Sequence, residues 1–206
     1  MLQILGRRTS GNVMLPLWVA DELGLACEQV DIGGPFGGND APDYRARNPN
    51  GLVPTIVDDG FVLWESNAIT RYLCAKHSMG GLCPSDLQQR ATAEQWMDWK
   101  LSVLIPAMTP VFIGLVRTPE AERDMAAIGR AITRCVTLYG MLDTQLTNRT
   151  YLLGDTFTMA DIPVAPQVHR WLMLVQQRPP MPNLEAWYER MTQRPAFRRH
   201  CMNPIV

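Results

Sequence analysis

A short segment of the chain separates two stretches whose hydrophobic patterns differ. Residues 78–86 read SMGGLCPSD, a run rich in Gly, Pro and Ser that lies between two helical patterns. Such a composition is typical of a linker between domains. Because 206 residues suffice for two small domains, we predict a first domain over residues 1–77, a linker over 78–86 and a second domain over 87–206.

The first stretch begins with a predicted strand, helix and strand. An apolar run over residues 2–5 predicts the first strand. Apolar residues at helical spacing over 13–23, followed by Gly24, predict a helix, and Asn12 is a favoured residue for its N-cap. Residues 27–32 predict the second strand.

A glycine-rich loop, an irregular crossover and a hairpin complete this stretch. The glycines of residues 33–40 precede neither a Gly-Lys-Ser/Thr sequence nor a long helix, so they fit no nucleotide-binding fingerprint and predict a surface loop. Asp59-Gly60 separates two runs rich in β-branched and aromatic residues within 54–64, which predicts a β-hairpin. A helix is expected to begin at Ser66, directly behind the hairpin.

The second stretch has a helical pattern throughout. Its clearest apolar stripe recurs at three- and four-residue steps and consists of Ile128, Ile132, Cys135, Val136, Tyr139, Leu142 and Leu146. The longest apolar run, residues 101–116, holds two prolines and a glycine and is shorter than the about 20 residues that a membrane span needs. We therefore predict a buried, kinked helix there and an all-α second domain.

Composition argues against several classes of function. Nineteen basic and 20 acidic residues give a net charge of -1, which supplies no basic surface for nucleic acid. The five cysteines and three histidines are scattered without the spacing of a zinc site or a redox pair, so no metal site is predicted and the cysteines are expected to be reduced and to serve packing. The start of the chain lacks the pattern of a secretion signal, which favours a cytoplasmic location.

Three motifs together resemble the cytosolic glutathione transferase family, in its serine-type, bacterial-like form. They are NPNGLVP over residues 48–54, Glu65-Ser66 at a helix start, and FTMAD over residues 157–161. The resemblance covers nearly the whole chain. It implies an α/β plus all-α fold, in which a thioredoxin-like N-terminal domain of order βαβαββα precedes an all-α domain. It also implies glutathione as co-substrate, no metal, and usually a homodimer.

The resemblance assigns glutathione-binding roles to four residues. In the family the Val53-Pro54 bond is cis, so that the Val53 amide and carbonyl pair with the cysteinyl backbone of glutathione as a short added strand. The Ser66 amide and hydroxyl, at a helix N-terminus, hold the γ-glutamyl carboxylate, and Glu65 faces the ammonium group. Pro54 also fits a plain strand start, and Ser66 a plain helix N-cap.

Catalysis by such a protein requires a thiolate, because a thiol with a pKa of about 8.5 is only slightly ionised at neutral pH. A fall of about two pKa units corresponds to roughly 2.7 kcal/mol, which one hydrogen bond from a hydroxyl and one helix N-terminus can supply. Serine-type relatives place this hydroxyl in the turn between the first strand and helix. Ser10 is therefore the predicted catalytic donor, with Asn12 as a second donor and Thr9 as a rival; all three also fit a role in capping the turn.

Two departures from the family and one structural motif complete the expectations. Leu52 stands where many relatives carry a donor for the glycyl carboxylate, and Met14-Leu15 replace a basic residue of the first turn. Thr158 and Asp161 resemble an N-capping box, with Asp at the third position. Asp161 is accordingly predicted to support folding and not substrate binding.

The leading functional prediction is a detoxifying transferase that conjugates glutathione thiolate to a small hydrophobic electrophile. Met108, Phe112 and Trp171 are candidate linings for that electrophile in the helical domain, although such residues more often form core. One alternative is a glutathione-dependent peroxidase or disulfide reductase that uses the same thiolate. The other is a non-catalytic protein of this fold that serves in binding or interaction, which Leu52 favours.

Overall fold

The N-terminal part of the chain folds around a mixed sheet of four strands. The computed structural model describes residues 1–205, and its strands are β1 (Leu2–Leu5), β2 (Cys27–Val30), β3 (Thr55–Asp58) and β4 (Phe61–Trp64). They stand in the order β2–β1–β3–β4, with β1 parallel to β2 and antiparallel to β3. β1 has its predicted bounds, whereas β2 ends two residues before the predicted end at 32.

Three helices belong to this sheet: α1 (Met14–Glu22), α2 (Pro42–Arg47) and α3 (Ser66–His77). The order βαβαββα that the family resemblance implied is therefore confirmed. Sequence pattern alone did not predict α2, which lies in the expected irregular crossover. The predicted hairpin turn is present, and both Asp59 and Gly60 adopt positive φ, at 49° and 89°, as the turns that suit a twisted hairpin require.

The N-cap predicted for α1 is wrong. The helix begins at Met14 with Val13 as its N-cap, and no side chain caps it. The Met14 amide instead donates to the carbonyl of Ser10 at 3.0 Å. Because residues 11–13 already form a turn that leads into the helix, the backbone of Ser10 satisfies the amide that the Asn12 side chain was expected to satisfy, and Asn12 is exposed.

Strand register brings the connections of the sheet to one edge. Leu5 lies opposite Val30 on one side and Thr55 on the other, and Thr55 lies opposite Trp64. The chain therefore leaves β1, β2 and β4, and enters β3, at the same edge. The turns that carry the predicted glutathione-binding and catalytic residues begin or end there.

The second part of the chain is helical, as predicted. Its helices are α4 (Leu87–Trp99), α5 (Ile105–Phe112), α6 (Met125–Gln145), α7 (Asp161–Leu174) and α8 (Pro182–Thr192), and α9 (Pro195–Cys201) follows. The apolar stripe of α6 is largely buried, with Ile128, Cys135, Tyr139 and Leu142 each less than 5% exposed. α6 packs against α5 and α8 along this stripe.

Residues 87–117 form one continuous helical stretch whose pitch changes twice. Lys100–Leu104 and Ile113–Arg117 are π-helical. These wider turns lie beside Pro106 and Pro110, which lack an amide hydrogen and whose rings clash with the carbonyl four residues back. The changes of pitch thus lie close to the prolines on which the predicted kinks were based.

The same stretch is less buried than its sequence indicated. The stretch is long and apolar enough to cross a membrane, since its most apolar window has a mean hydropathy of 1.6. Core helices of water-soluble proteins can be equally long and apolar. Only 28% of that window is buried, and Leu101 and Ile113 are 42% and 48% exposed. The prediction of a buried helix is therefore wrong for much of its surface.

The chain divides into two compact units, and the division corrects one predicted boundary. The first unit contains Met1–Ser85 together with Pro195–Asn203, and the second contains Asp86–Arg194. The assignment of all of 87–206 to the helical domain is thus wrong for α9. This helix packs on α1, where the rings of Trp18 and Phe197 lie 4.9 Å apart and the His200 Nε2 atom lies 3.0 Å from the Asp21 carboxylate.

Asp161 anchors the start of α7 inside the second unit. One of its oxygens accepts hydrogen bonds from the Leu152 amide at 3.0 Å and the Trp187 indole at 2.9 Å, and the other accepts from the Thr158 amide at 3.0 Å. Half of the predicted capping box is therefore present; the Thr158 hydroxyl contacts the Ala160 amide at 3.4 Å and not the Asp161 amide. Burial raises the pKa of Asp161 to about 6, against the opposing effect of these donors.

Replacement of Asp161 by Ala is expected to lower the free energy of unfolding by at least about 3 kcal/mol, because it leaves three buried donors without an acceptor. Denaturant unfolding measures this loss. Asp155→Ala is the matched control, since Asp155 lies in the same region but is exposed. Unfolding of Asp161→Ala at the wild-type midpoint would contradict the anchoring role.

Candidate active site

The edge of the sheet where the connections meet is shaped by Gly6. A Cβ atom at this position would lie 2.5 Å from Cγ2 of Val13 and 3.0 Å from Cβ of Val53, and the residue has a φ of 149°. Gly6 therefore allows the turn between β1 and α1 to lie directly beside the loop that enters β3. Sequence reasoning treated Gly6 only as the end of a strand.

Ser10 occupies the turn between β1 and α1 and has a fixed backbone with an uncommitted hydroxyl. Its amide donates to the Arg7 carbonyl at 3.1 Å, and its carbonyl accepts from the Met14 amide at 3.0 Å. The residue is 9% exposed, and across residues 1–205 its hydroxyl has no hydrogen-bond partner. Such a hydroxyl can donate to a ligand at the N-terminal end of α1. Thr9 and Asn12 are exposed on the same turn.

The Val53-Pro54 peptide bond is cis, as the family resemblance implied. Pro54 is buried and Val53 half-buried. The amide and carbonyl of Val53 make no hydrogen bond with any described residue. They thus form a donor and acceptor pair that can accept a short peptide in extended conformation.

A hydrogen-bonded cluster holds the residue before this pair. The Leu52 carbonyl accepts from the Tyr44 hydroxyl at 2.6 Å and from the Asn48 side chain at 2.8 Å. Both side chains also contact the Thr55 hydroxyl, at 3.0 Å and 3.1 Å. Burial raises the pKa of Tyr44, so the phenol stays protonated and able to donate.

Sequence reasoning missed the roles of Tyr44 and Asn48. The available signal was a single aromatic residue among the charged residues of α2, which is 3% exposed in the structure. Asn48 belonged to a quoted motif but received no role, because its side chain acts on a carbonyl four residues later.

Glu65 and Ser66 lie where β4 passes into α3. Glu65 is the N-cap by its backbone, and its carbonyl accepts from the Ile69 amide at 2.9 Å. It has a φ of 73°, a conformation that costs a non-glycine residue of order 1–3 kcal/mol and is concentrated at functional sites. Ser66 is the first helical residue, so its predicted role as N-cap is wrong.

The polar groups of this pair are available to a ligand. Ser66 is 5% exposed, and within residues 1–205 neither its amide nor its hydroxyl has a partner. A carboxylate at this place would meet the amides of the first turn of α3. Glu65 is exposed and forms no ion pair within the described chain.

Two arginines lie near this edge of the sheet, and they differ in whether they form an ion pair. Arg45 is engaged, since it contacts Asp40 at 2.6 Å and the Pro49 carbonyl at 3.0 Å. Arg7 packs its side chain against Gly34 and forms no ion pair with a described residue. It is a cation of this edge that sequence reasoning missed; the signal was its position directly after Gly6.

The three candidate electrophile linings have different environments in the helical unit. Trp171 is fully buried and stacks on Tyr139 with ring centroids 4.8 Å apart, so it belongs to the core and its predicted role is wrong. Met108 and Phe112 line a small cavity of about 30 Å³ together with Gln167 and Arg170. These two residues remain candidates.

The cysteines show no sign of a second catalytic role. Burial raises the pKa of Cys74 to about 12 and that of Cys135 to about 11. Cys27 is exposed, so the expected packing role does not extend to it. Within residues 1–205 no group of three or more His, Cys, Asp or Glu side chains could hold a metal ion.

One edge of the sheet thus carries a cis Val53-Pro54 bond, and the Ser10 hydroxyl and the Ser66 amide on its turns have no partner among residues 1–205. The glutathione S-transferase N-terminal domain family matches residues 2–75, and the C-terminal domain family matches residues 103–195. Because the two matches together span most of the chain, the chain belongs to the glutathione S-transferase family, whose members are transferases that use glutathione.

Individual relatives agree with this assignment over at least 92% of their length. The chain is 42% identical to glutathione S-transferase GstB of Escherichia coli strain K12, with complete coverage of both. It is 31% identical to glutathione S-transferase 3 of Zea mays over 96% of this chain and 92% of the relative. A theta class glutathione S-transferase of Xanthomonas axonopodis pv. citri, solved with glutathione bound, has a TM-score of 0.93 at 45% identity and covers 100% of this chain and 99% of that one.

The substitution Gly6→Ala is expected to damage the site, because its Cβ overlaps Val13 and Val53 at a φ that alanine disfavours. The free energy of unfolding should fall by about 1–3 kcal/mol, with at least a tenfold loss of glutathione affinity measured by calorimetry. Gly129→Ala is the control, since nothing lies within 4 Å of its Cβ position on α6 and alanine favours a helix. Equal behaviour of the two variants would contradict this role of Gly6.

Proposed function

We propose that the protein activates glutathione as a thiolate at Ser10 and conjugates it to a small hydrophobic electrophile. The observation that carries this proposal is the Ser10 hydroxyl, which lies free at the N-terminal end of α1, on the turn that Gly6 holds beside the cis Val53-Pro54 pair. The Xanthomonas relative that was solved with glutathione supports the same tripeptide as ligand.

Glutathione binds by its backbone and its γ-glutamyl group. The Val53 amide and carbonyl pair with the cysteinyl residue as one added strand segment, which places the thiol near the turn of Ser10. The Ser66 amide and hydroxyl donate to the γ-glutamyl carboxylate at the N-terminus of α3, and Glu65 pairs with the ammonium group. The glutathione-binding residues are thus Val53, Pro54, Glu65 and Ser66.

The chemical step needs a hydrogen-bond donor for the sulfur and no added base. The thiol proton leaves to solvent, and the Ser10 hydroxyl donates to the thiolate with a gain of about 1.5–3 kcal/mol. The N-terminal end of α1 adds about 0.3–1 kcal/mol. The sulfur then forms a bond to the electrophilic carbon, and the leaving group departs with the electron pair of its bond.

Two neighbouring residues complete the electrostatics of this turn. Asn12 is exposed on the turn and free of partners within residues 1–205, so we assign it the role of a second donor to the sulfur. Arg7 provides a positive charge at the same edge, which offsets the absence of a basic residue at Met14 and Leu15. Leu52 is 66% exposed, and its side chain has no hydrogen-bond donor for the glycyl carboxylate. The tripeptide is therefore bound mainly through its cysteinyl backbone and its γ-glutamyl group.

We also propose a cytoplasmic homodimer with a role in detoxification. The apolar stretch over residues 87–117 leaves much of its surface uncovered within one chain, which supports association of two copies. Five free cysteines suit a reducing compartment.

Ser10→Ala is expected to raise the pKa of bound glutathione by about 1–2 units, because the thiolate loses one hydrogen bond. Titration of the thiolate absorbance of the complex measures this change. The value of kcat/KM with a halogenated nitroaromatic should fall by about 10- to 100-fold, while glutathione affinity changes little, since the backbone of Val53 and Ser66 holds the ligand.

Ser10→Thr should restore most of the activity, and Thr9→Ala should have little effect. Asn12→Ala should cause a smaller loss than Ser10→Ala. A large loss in Thr9→Ala with an active Ser10→Ala would move the catalytic role to Thr9. Parallel assays with an organic hydroperoxide and a mixed disulfide show whether either is the preferred acceptor of the same thiolate.

Sedimentation equilibrium is expected to give a mass of twice the 23.2 kDa chain. Leu101→Glu and Ile113→Glu should each shift the protein toward the mass of a monomer, because each substitution places a charged side chain inside the proposed interface. Met125→Glu, at the start of α6 and outside the stretch 87–117, is the control, since Met125 is 62% exposed. A single-chain mass for the wild-type protein would contradict the homodimer.

A further inference from the structure

Lys100 is a buried cation that the proposed glutathione site does not use. It lies at the junction of α4 and the first π-helical turn, and it is 1% exposed. Its Nζ atom is fully buried and has no hydrogen-bond partner in residues 1–205. An ammonium group taken out of water without an anion or acceptor is strongly unfavourable, so the position needs an explanation beyond packing.

Lys100 has a second cation near it and forms no ion pair with a described carboxylate. Arg170 on α7 is close enough to contribute, after burial, to lowering the pKa of Lys100 to about 8. Arg170 itself stacks on Phe112, with its guanidinium carbon 4.4 Å from the ring centroid, and forms no ion pair with a described residue. Burial, with a further contribution from Arg117, lowers the pKa of Arg170. Lys100 and Arg170 are thus two cations that interact electrostatically, and neither forms an ion pair with a described carboxylate.

A small cavity adjoins Arg170, one of the two cations. It has a volume of about 30 Å³ and is lined by Gln167 and Arg170 of α7 and by Met108 and Phe112 of α5. Lys100, Leu104 and Met108 are each no more than 1% exposed, so the lysine and the cavity-lining Met108 both belong to the buried side of the helical stretch.

We propose that Lys100 and Arg170, together with the side-chain amide of Gln167, bind one carboxylate carried by the electrophilic substrate. The carboxylate supplies the counter-charge that both cations lack, accepts from the guanidinium and ammonium groups, and accepts from the Gln167 amide nitrogen. Phe112 and Met108 contact the apolar part of the same molecule. The preferred electrophile is therefore anionic at one end and apolar at the other. This inference rests on the proposed function for its substrate and adds the charge of that substrate.

The test compares two electrophiles that differ in one charge. 4-Chloro-3-nitrobenzoate and 4-chloro-3-nitrobenzamide share the ring, the reacting carbon and the leaving group; in both, sulfur bonds to the ring carbon and chloride departs. Relative to the uncatalysed rates, the wild-type protein is expected to favour the benzoate. Lys100→Met, which keeps the length of the side chain and removes its charge, should lower kcat/KM for the benzoate at least tenfold, mainly through KM. The benzamide should change less than twofold.

Matched variants separate this site from a general effect of charge or folding. Arg170→Gln should reproduce the selective loss for the benzoate, and Arg130→Met, which removes an exposed cation from α6, should not. Calorimetry with glutathione should give wild-type affinity for all three variants. Lys100→Met should also unfold at a higher temperature than the wild type, because an unpaired buried charge is lost.

Direct binding distinguishes failure of the site from failure of the proposed function. The unreactive 4-nitrobenzoate should bind the wild-type protein more tightly than 4-nitrobenzamide, and Lys100→Met should abolish the difference. If the benzoate binds through Lys100 but is not turned over, the carboxylate site stands and the electrophile assignment fails. Equal losses for the charged and neutral compounds, or no loss in Lys100→Met and Arg170→Gln, would overturn the carboxylate site.

Discussion

The placement of β1 between a parallel and an antiparallel neighbour is the constraint on which the proposed site depends. A parallel pair brings two strand ends to one edge, whereas an antiparallel pair brings a strand end and a strand start together. With β2 on one side and β3 with β4 on the other, three chain exits and one entry meet beyond Leu5. A shift of one residue in either register would move every side chain of the shifted strand to the other face of the sheet. The glutathione-binding residues are therefore grouped by backbone pairing before any side chain contributes.

Rigid support of short loops is the second requirement, because a thiolate gains from a hydrogen bond only if its donor is held in place. In the first unit this support comes from neutral groups: Gly6 permits the close approach of two turns, and Tyr44 and Asn48 fix the Leu52 carbonyl from two directions. These supporting contacts do not use the Ser10 hydroxyl or the Val53 amide, so both groups stay available to a ligand. Because these supporting groups are neutral, they add no charge that would compete with the groups proposed to stabilise the thiolate.

The parts of the structure that sequence anticipated are those determined by neighbouring residues. The Asp59-Gly60 turn and the strand before Gly6 follow from local backbone preferences, and so they could be predicted. α2 could not, because six residues with neither a capping side chain nor an apolar stripe carry no periodic signal. The exposure of Asn12, the complete burial of Trp171 and the packing of α9 on α1 depend on contacts between distant segments. Motif resemblance supplied Val53 and Ser66, whose free amides become evident only in three dimensions.

Two buried charges of the second unit have opposite environments, and the difference bears on how such a protein acquires specificity. Asp161 shows the stabilising solution, in which a buried charge is surrounded by three donors and the helix start is fixed. Lys100 shows the other solution, in which a buried charge has no partner in residues 1–205 and therefore reduces stability. Proteins tolerate such a loss at positions where a ligand restores the missing interaction. A site for glutathione that is built from backbone groups can serve many electrophiles, so discrimination between them has to come from the helical unit. An unpaired cation there discriminates by charge, because a neutral molecule that enters leaves the ammonium group as poorly solvated as before.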